Sequence, residues 1–488
     1  MTSRSRRTGR SEAEPSPDLV YASVRELSRA YRAGRLSPVE VVWAHLERIE
    51  RLDGRLRAYI TVTAEEALRQ ARRAERELGA GEDRGPLHGI PYALKDQVLT
   101  KGIRTTAGSL VLKDWMPKED ATAVVRMRAA GAIMLGKLNM MEFALGGPLQ
   151  YPFGTPRNPW SLDHETGGSS SGSGSAPAAG LATVTIGEDT GGSVRIPAAY
   201  CGIAGLRPTW GLISRHGVLP AAWQLDTLGP LARSVEDIAH VLQALAGHDP
   251  RDPTTLRARA PRYASRLRTG LRGLRAGVVR ELLPGPGLEP EVEDGVRQAI
   301  AVLEKLGVSF DEVSIPLVRH AGAIYIAFGE PEAAIGHLPS LRRSAADYGY
   351  TARVRMATGL LIPGHVARWA DRVGRAAIRT QVRAAMEPYD FLVAPTWRTA
   401  APRIEEKQRL GHRTKADALN EFGLERAYGI PFAIAGTPAL AVCCGFNRAG
   451  LPLSIQIVAK PLRDDVALRV GHAYQQATDW HTRRPALA

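Results

Sequence analysis

Two segments rich in serine and glycine, near the middle of the chain, are the first candidates for chemistry. Residues 167–174 read GGSSSGSG, and residues 187–197 read GEDTGGSVRIP. A serine hydroxyl is a weak nucleophile and attacks a carbonyl carbon only when a base takes its proton. In the second segment the backbone N–H groups of a glycine-rich turn can converge on an anion, with Ser193 at the mouth of that turn.

Each segment also has a simpler interpretation. For residues 167–174 a flexible linker is one, but a linker should separate domains and this segment lies inside a pattern of strands and helices. A Walker A loop needs a lysine, and a dinucleotide fingerprint needs glycine where Pro177 stands. A GxSxG elbow matches residues 168–172 but needs a strand before it, which residues 162–166 do not favour. Residues 187–197 could instead form a plain turn with Ser193 as a helix N-cap.

Lys95 is the third candidate, because it ends the apolar run 90–94. A lysine in that position is either a surface residue with only its aliphatic part buried, or a buried amine with a lowered pKa. Only the buried form could serve as a base near neutral pH. The strand pattern alone leaves both interpretations open.

Strand and helix patterns predict how these candidates are positioned. Apolar and β-branched runs predict strands at 90–94, 132–135, 182–186, 276–279, 308–315, 391–394, 440–444 and 453–458, the last two joined as a hairpin. Caps and helical spacing predict helices within 20–80 and at 122–130, 193–200, 234–247, 289–306 and 464–477. The alternation predicts an α/β fold, with a large, mixed, mostly parallel sheet covered by helices on both faces.

Composition places the chain among globular proteins. It has 488 residues, of which 44% are hydrophobic and 23% charged. No uncharged apolar run reaches about 18 residues, so we predict no transmembrane helix and no membrane partner. The arginines of residues 1–10 are followed by an acidic run and not by an apolar one, so a signal peptide is not indicated. We expect a disordered basic tail at 1–18, one domain at 19–488 and a cytoplasmic protein.

Cysteine spacing and charge exclude other classes. Cys201, Cys443 and Cys444 form no CxxC pair, and no HExxH sequence occurs, so we predict neither disulfides nor a metal site, and no cofactor. The net charge of +14 comes mostly from arginine, which is densest at 262–275. A solvated surface explains that run, and a patch for an acidic partner is the alternative. A nucleic-acid-binding protein would rest on charge alone, and we expect no such partner.

Together these segments resemble the amidase signature family of serine hydrolases. The resemblance covers roughly residues 20–480 in order, and Ser169 and Ser193 are 24 residues apart, as the family pattern requires. The residues that carry it are 89–91 with 95–96, 167–170, 189–193 with 195–197, 201–202, 205–209, 225–226 with 229–230, and 450–452 with Gln456. The signature core would span about 85–235, and a more variable helical region on the substrate side about 316–390.

The resemblance implies a catalytic set of Lys95, Ser169 and Ser193. Ser193 would be the nucleophile, Ser169 a bridging serine associated with a cis peptide, and Lys95 a neutral base. The oxyanion would be bound by backbone N–H groups of Thr190, Gly191, Gly192 and Ser193, and the turn would be supported by Asp189, Arg195 and Ser170. Asp96 should point away from Lys95, because a carboxylate there would raise the pKa of the amine.

Three positions depart from the family pattern. Ser171 stands where many members have glycine, Glu188 where threonine is common, and Ala433 where many have asparagine. We expect none of them to touch the catalytic set. His164 and His216, near the site segments, are expected to be structural or to lie at the rim.

The implied function is hydrolysis of carboxamide C–N bonds in a small-molecule substrate, with esters also cleaved. Carbamate (urethane) hydrolysis by the same residues is one alternative. Another is the glutaminase chain of a tRNA-dependent amidotransferase. The sequence of residues 136–143 and the basic net charge are similar to those of that branch of the family. Arg426, however, aligns where that branch carries an acidic residue for the glutamine amino group. The protein could pair as a homodimer.

Overall fold

The computed structural model describes residues 19–147, 150–258, 260–285, 287–404 and 425–487. The tail predicted at 1–18 lies outside the described residues. In chain order the strands are β1 (Tyr59–Val62), β2 (Pro91–Lys95), β3 (Ile133–Leu138), β4 (Val184–Asp189), β5 (Ala204–Arg207), β6 (Thr227–Ala232), β7 (Arg275–Val279), β8 (Ser309–Val313), β9 (Phe391–Pro395), β10 (Ala439–Phe446) and β11 (Pro452–Ala459).

Helices connect and cover these strands. Numbered over the described residues, they are α1 (Val24–Arg32), α2 (Pro38–Leu56), α3 (Ala64–Gly79), α4 (Thr122–Ala129), α5 (Ser171–Ala178), α6 (Arg195–Cys201), α7 (Val235–Leu245), α8 (Tyr263–Arg266), α9 (Pro290–Lys305), α10 (Ala321–Ser344), α11 (Tyr350–Leu361), α12 (Gly364–Trp369), α13 (Arg375–Met386), α14 (Ile430–Ala435) and α15 (Asp464–Ala477). Short 3-10 helices include Glu142–Ala144 and Glu425–Tyr428. No helix in the described ranges is both long and apolar enough to cross a membrane.

The strands form one 11-stranded sheet in the order β1-β3-β2-β4-β6-β5-β10-β11-β9-β7-β8. The mixed α/β sheet is confirmed, and so are the parallel β7–α9–β8 unit and the antiparallel hairpin of β10 and β11. The expected majority of parallel pairs is wrong, because among the described strands only β2–β3, β2–β4, β7–β8 and β7–β9 are parallel. The centre of the sheet, from β4 to β9, is antiparallel throughout. Local patterns identify strands but do not identify their partners or directions.

Both faces of the sheet are buried, as predicted. In β2, Tyr92 and Leu94 pack into one core cluster, whereas Ala93 packs into another with α2, α3 and α5. In β9, Phe391 and Val393 join the first cluster, and Leu392 packs on the opposite face with α10, α13 and α14. Because side chains alternate between the two faces of a strand, this division shows that helices cover the sheet on both sides.

Residues 171–178 form the buried helix α5, although glycine and serine have low helix propensity. The small residues are required by close packing: a Cβ on Gly172 would lie 2.1 Å from the carbonyl oxygen of Ala58, and one on Gly174 2.7 Å from the Cβ of Pro197. Helix α5 therefore lies tightly between neighbouring segments. It follows directly after Ser169 and Ser170, and so fixes where that segment enters the core.

Candidate active site

Lys95 ends strand β2 with its side chain wholly buried, which decides between the two interpretations of this residue. Its Nζ lies 2.7 Å from the Oγ of Ser169 and 3.0 Å from the Oε2 of Glu188. A third contact, at 3.3 Å, joins Nζ to the carbonyl oxygen of Glu188. The amine is thus held between the first serine segment and the end of β4.

The pKa of Lys95 lies below its ordinary value, because complete burial disfavours the charged amine. The carboxylate of Glu188 acts in the opposite direction, and burial is the larger effect. The structure therefore agrees with the expectation that burial lowers this pKa. A lowered pKa increases the fraction of neutral amine that can accept a proton near neutral pH.

The first serine segment contains a cis peptide bond between Gly168 and Ser169, as the resemblance implied. Ser170 connects this segment to both of its neighbours. Its Oγ donates to the carbonyl oxygen of Glu188 at 3.0 Å, and its N–H donates to the carbonyl oxygen of Ser193 at 3.3 Å. The segments that carry Ser169 and Ser193 consequently lie side by side.

Ser193 lies in the turn between β4 and α6 and is half-buried, unlike the fully enclosed Lys95. Asp189 holds this turn: its carboxylate accepts from the N–H groups of Gly192 at 2.8 Å and Val194 at 3.1 Å. The Nε of Arg195 also donates to it, at 3.1 Å. Asp189 thus connects the two N–H groups of the turn to the guanidinium of Arg195.

Two guanidinium groups keep Asp189 ionised. Arg195 and Arg207 both pair with its carboxylate and hold its pKa well below the ordinary value, although the residue is fully buried. Arg195 also donates to the carbonyl oxygen of Gly429 at 3.1 Å and to Gln456 at 3.2 Å. The nucleophile turn is thereby fixed to two distant parts of the chain.

These contacts narrow the predicted oxyanion donors. The N–H of Gly192 is taken by Asp189, so Gly192 is removed from the set. The N–H groups of Gly191 and Ser193 donate to no atom of the described residues. The N–H of Thr190 stays a predicted donor, whereas its hydroxyl points to two carboxylates, 2.7 Å from Glu188 and 2.7 Å from Asp226.

The expectation that no departure from the family pattern touches the catalytic set is wrong for Glu188. Its side chain is fully buried, and its carboxylate forms an ion pair with Lys95 at 3.0 Å. The sequence contains a partial signal, because Glu188 lies one residue before the DTGGS motif. What it lacks is the pairing of β2 with β4, whose contacting residues are more than 90 positions apart.

Asp96 points away from Lys95, as predicted, and pairs with Lys137 at 3.1 Å. Thr106 donates to the same carboxylate through its N–H at 2.7 Å and its Oγ1 at 2.5 Å. Lys137, on β3, is as completely buried as Lys95, and sequence reasoning did not single it out. The parallel strands β2 and β3 therefore end at two buried ion pairs and not at one.

The remaining candidates lie apart from this cluster. The Nδ1 of His164 is 2.8 Å from the Oγ of Ser161, and His216 faces Glu119 at 3.7 Å. The three cysteines are unpaired and buried. Across the described ranges no group of three or more His, Cys, Asp or Glu side chains could hold a metal ion.

Comparison with known proteins supports the resemblance to the amidase signature family. The Amidase family profile matches residues 40–468. A glutamyl-tRNA(Gln) amidotransferase chain of Moorella thermoacetica is 40% identical over 497 aligned positions, which cover 96% of this chain and 99% of that protein. The relationship therefore extends over nearly the whole length of both chains.

Solved structures agree. The native peptide amidase of Stenotrophomonas maltophilia is 32% identical with a TM-score of 0.83, covering 96% of this chain and 99% of that one. The corresponding glutamyl-tRNA(Gln) amidotransferase chain of Thermotoga maritima is 28% identical with a TM-score of 0.77, covering 95% and 96%. With the profile match and the shared serine segments, these likenesses show that the chain belongs to the amidase signature family.

Proposed function

We propose that this protein hydrolyses carboxamide C–N bonds, with Ser193 as nucleophile and with Ser169 and Lys95 as its proton relay. The observation that carries the proposal is the 2.7 Å contact between the buried Lys95 amine and the Ser169 hydroxyl. It supplies a base with a lowered pKa, and the segment of Ser169 is hydrogen-bonded through Ser170 to the half-buried Ser193 in its glycine-rich turn.

The proposed reaction follows from the weakness of serine as a nucleophile. Ser193 loses its proton to Ser169 as Ser169 passes its own proton to neutral Lys95, and the Ser193 oxygen attacks the carbonyl carbon. The ammonium of Lys95 then returns a proton, through Ser169, to the leaving amine. Water hydrolyses the acyl-enzyme by the same relay in reverse.

The oxyanion formed in each step needs hydrogen-bond donors that are already in place. The N–H groups of Gly191 and Ser193 fit this role best, because Asp189 holds their turn through Gly192 and Val194. Each such donor lowers the barrier by about 3–4 kcal/mol. Esters should react by the same path, since an alkoxide leaves more easily than an amine, and carbamates are chemically close enough to remain candidate substrates.

The test is a hydrolysis screen over aryl amides, aliphatic amides, anilides, ureas, carbamates and esters, run with wild type and Ser193→Ala. We expect hydrolysis of at least one amide by wild type only, and labelling of the Ser193 peptide by a sulfonyl fluoride. Labelling of a Ser170 peptide or of a cysteine peptide would contradict the assignment. Ester or carbamate turnover without any amide turnover would replace the carboxamide proposal by that substrate class.

A second candidate is the glutaminase chain of a tRNA-dependent amidotransferase. The curated relatives support it more directly than they support a free-standing amidase, because amidotransferase chains at about 40% identity align over nearly the whole protein. Such a protein would release ammonia from glutamine and work with partner chains. The chemistry at Ser193 would be the same, so the two candidates differ in substrate and partners.

Arg426 bears on this choice. Arg426 lies in the 3-10 helix Glu425–Tyr428, and its guanidinium is over the ring of Tyr325, 5.2 Å from the ring centroid. That helix is followed by Gly429, whose carbonyl oxygen accepts from Arg195 of the nucleophile turn. A guanidinium near the substrate would repel the α-ammonium of glutamine, which favours the amidase candidate.

A matched pair of substrates separates the two candidates. Glutaramate has the carboxylate and the terminal amide of L-glutamine but lacks the ammonium. The amidase candidate predicts a higher kcat/KM for glutaramate, whereas the glutaminase candidate predicts a higher kcat/KM for L-glutamine and copurification with partner chains. Preference for L-glutamine together with such partners would overturn the free-standing amidase.

A further inference from the structure

Beside Lys95, a chain of hydrogen bonds continues into two buried carboxyl groups. One oxygen of Glu188 contacts the Lys95 amine at 3.0 Å, and the other lies 2.7 Å from the hydroxyl of Thr190. The same hydroxyl lies 2.7 Å from an oxygen of Asp226. Glu188 and Asp226 are both almost completely buried, with 0% and 2% of their surfaces exposed.

Counting hydrogens fixes the protonation of this chain. A threonine hydroxyl carries one hydrogen and can donate it to one carboxylate only. The Thr190 oxygen lies 2.7 Å from a carboxylate oxygen of Glu188 and 2.7 Å from one of Asp226. If both carboxylates were ionised, one of these two oxygen–oxygen contacts would have no hydrogen in it. One carboxyl group must therefore carry a proton and donate it to Thr190, while Thr190 donates to the other.

Nearby cations do not remove this requirement. Arg207 is committed to Asp189 and to the carbonyl oxygen of Leu225, at 3.2 Å and 2.7 Å. Arg215 interacts electrostatically with Asp226 without contacting it. Its backbone N–H donates to Asp252, and its guanidinium donates to Thr254 and lies over two tryptophan rings. Tyr325, on α10, also interacts electrostatically with Asp226, and its raised pKa keeps it neutral.

The two carboxyl groups are not equivalent. Glu188 accepts a hydrogen bond from the Lys95 amine at 3.0 Å, which a neutral amine can also donate and which favours the ionised carboxylate. Asp226 contacts no cation among the described residues and instead accepts N–H bonds from Ala221 and Ala222. Burial, with the Glu188 charge as a second cause, raises the pKa of Asp226 to about 7. The shared proton therefore resides on Asp226.

We propose that Glu188 is a positioning residue for Lys95, kept ionised because Asp226 holds the proton that the two carboxyl groups share through Thr190. This inference rests on the proposed function, in which Lys95 is the base. In the transition state the amine becomes an ammonium, and the Glu188 carboxylate orients and stabilises that charge. The same charge raises the pKa of Lys95, so Glu188 sets the pH at which the base becomes active.

The first test is kcat/KM against pH for wild type and Glu188→Gln, on one amide and one ester. Removing the negative charge should move the alkaline-rising limb to lower pH by about one unit or more. It should also lower the plateau by about 10–100-fold, because a base with a lower pKa is weaker and its ammonium has lost its partner. A lowered plateau with an unmoved limb would mean that Glu188 is merely structural, and would overturn the proposal.

The second test needs no activity and compares thermal unfolding of wild type and Asp226→Asn at pH 4.5 and 7.5. An acid whose pKa is raised on folding loses stabilisation as pH rises from its unfolded pKa, about 3.9, towards its folded one. Asparagine is neutral at both pH values and can still donate to Thr190. The Tm of Asp226→Asn relative to wild type should therefore rise by about 3 °C or more between pH 4.5 and 7.5.

The variants Glu188→Gln and Ser193→Ala serve as controls, each measured with and without the added change Asp226→Asn. Glu188→Gln removes the negative charge that helps to raise the pKa of Asp226, so the pH-dependent Tm difference caused by Asp226→Asn should shrink in that background. In the Ser193→Ala background the difference should persist. A difference that is constant across pH would overturn the shared proton. Should wild type lack Ser193-dependent hydrolysis, the proposed function fails, whereas an unmoved limb in an active enzyme overturns only this inference.

Discussion

Two buried lysine–carboxylate pairs lie next to each other on the neighbouring strands β2 and β3. Lys95 pairs with Glu188 at 3.0 Å, and Lys137 pairs with Asp96 at 3.1 Å. All four side chains are fully buried, and burial lowers the pKa of both lysines. By burial, pairing and pKa direction, the two amines are nearly indistinguishable.

They differ in the third group that each amine contacts. The amine of Lys95 contacts the hydroxyl of Ser169, whose segment is hydrogen-bonded to that of the half-buried Ser193. The amine of Lys137 donates to the buried Thr105 hydroxyl at 2.7 Å. A lowered pKa therefore does not by itself identify a base, and a proton path to an accessible nucleophile is also required.

The largest expected effect is that of Ser193→Ala, which removes the proposed nucleophile that the Lys95–Glu188 pair would serve through Ser169. Amide hydrolysis should fall by at least about 10⁴-fold in kcat, as in other serine hydrolases that lose their nucleophile. The fold should persist, because the change deletes one hydroxyl. Steady-state kinetics and the thermal midpoint check both statements, and retained turnover would contradict the assignment.

Lys95→Ala should have the next largest effect, and a larger one on amides than on esters. An amine leaving group needs the proton that the relay returns, whereas an alkoxide needs it less. We expect a loss of about 10³–10⁴-fold for an amide and a smaller loss for the matched ester. Equal losses for both substrates would contradict a proton-donating role in the leaving step.

Lys137→Met tests the second pair as the matched control. It leaves the Asp96 carboxylate buried without its cation, which should lower the free energy of unfolding by about 3–5 kcal/mol. The folded protein should keep kcat/KM within about threefold of wild type, which corresponds to a change of less than about 1 kcal/mol in the activation barrier. A loss of activity comparable to that of Lys95→Ala, at a temperature where the variant is folded, would remove the distinction between the pairs.

Thr105→Val should have the smallest effect. It removes the hydroxyl that occupies, beside Lys137, the place that Ser169 occupies beside Lys95. Because Lys137 keeps Asp96, we expect a loss of about 1–2 kcal/mol in unfolding free energy and unchanged kinetics. Denaturant unfolding and amide kinetics measure these two quantities. A kinetic defect would contradict the claim that the Lys137–Asp96 pair takes no part in proton transfer to the nucleophile.

Much of the fold follows from local sequence. The capping boxes of Ser23 with Glu26 and Ser37 with Glu40 form as predicted, and helix α15 begins and ends at the predicted residues. These features depend on residues three or four positions apart. The helix of residues 171–178 is not predictable in this way, because close packing against other segments, and not propensity, stabilises it.

The site shows the same division. Lys95 and Ser169 are in contact, as the resemblance implied. The contacts of Glu188 and Asp226 were missed because they depend on strand pairing: β4 lies between β2 and β6, and this brings residues 95, 188 and 226 together. A long-range contact between charged residues leaves no periodic pattern in a single sequence.

The central claim is that Lys95 acts as a base because burial lowers its pKa and Ser169 connects it to Ser193. Its most direct test is kcat/KM against pH for wild type and Lys95→Ala on one amide. An ordinary lysine, with a pKa of about 10.4, would give a rising limb only at strongly alkaline pH. We predict that wild-type kcat/KM rises well below that value and then stays level, and that this limb is absent from Lys95→Ala. A rising limb that survives unchanged in Lys95→Ala would contradict the role of Lys95 and the relay through Ser169.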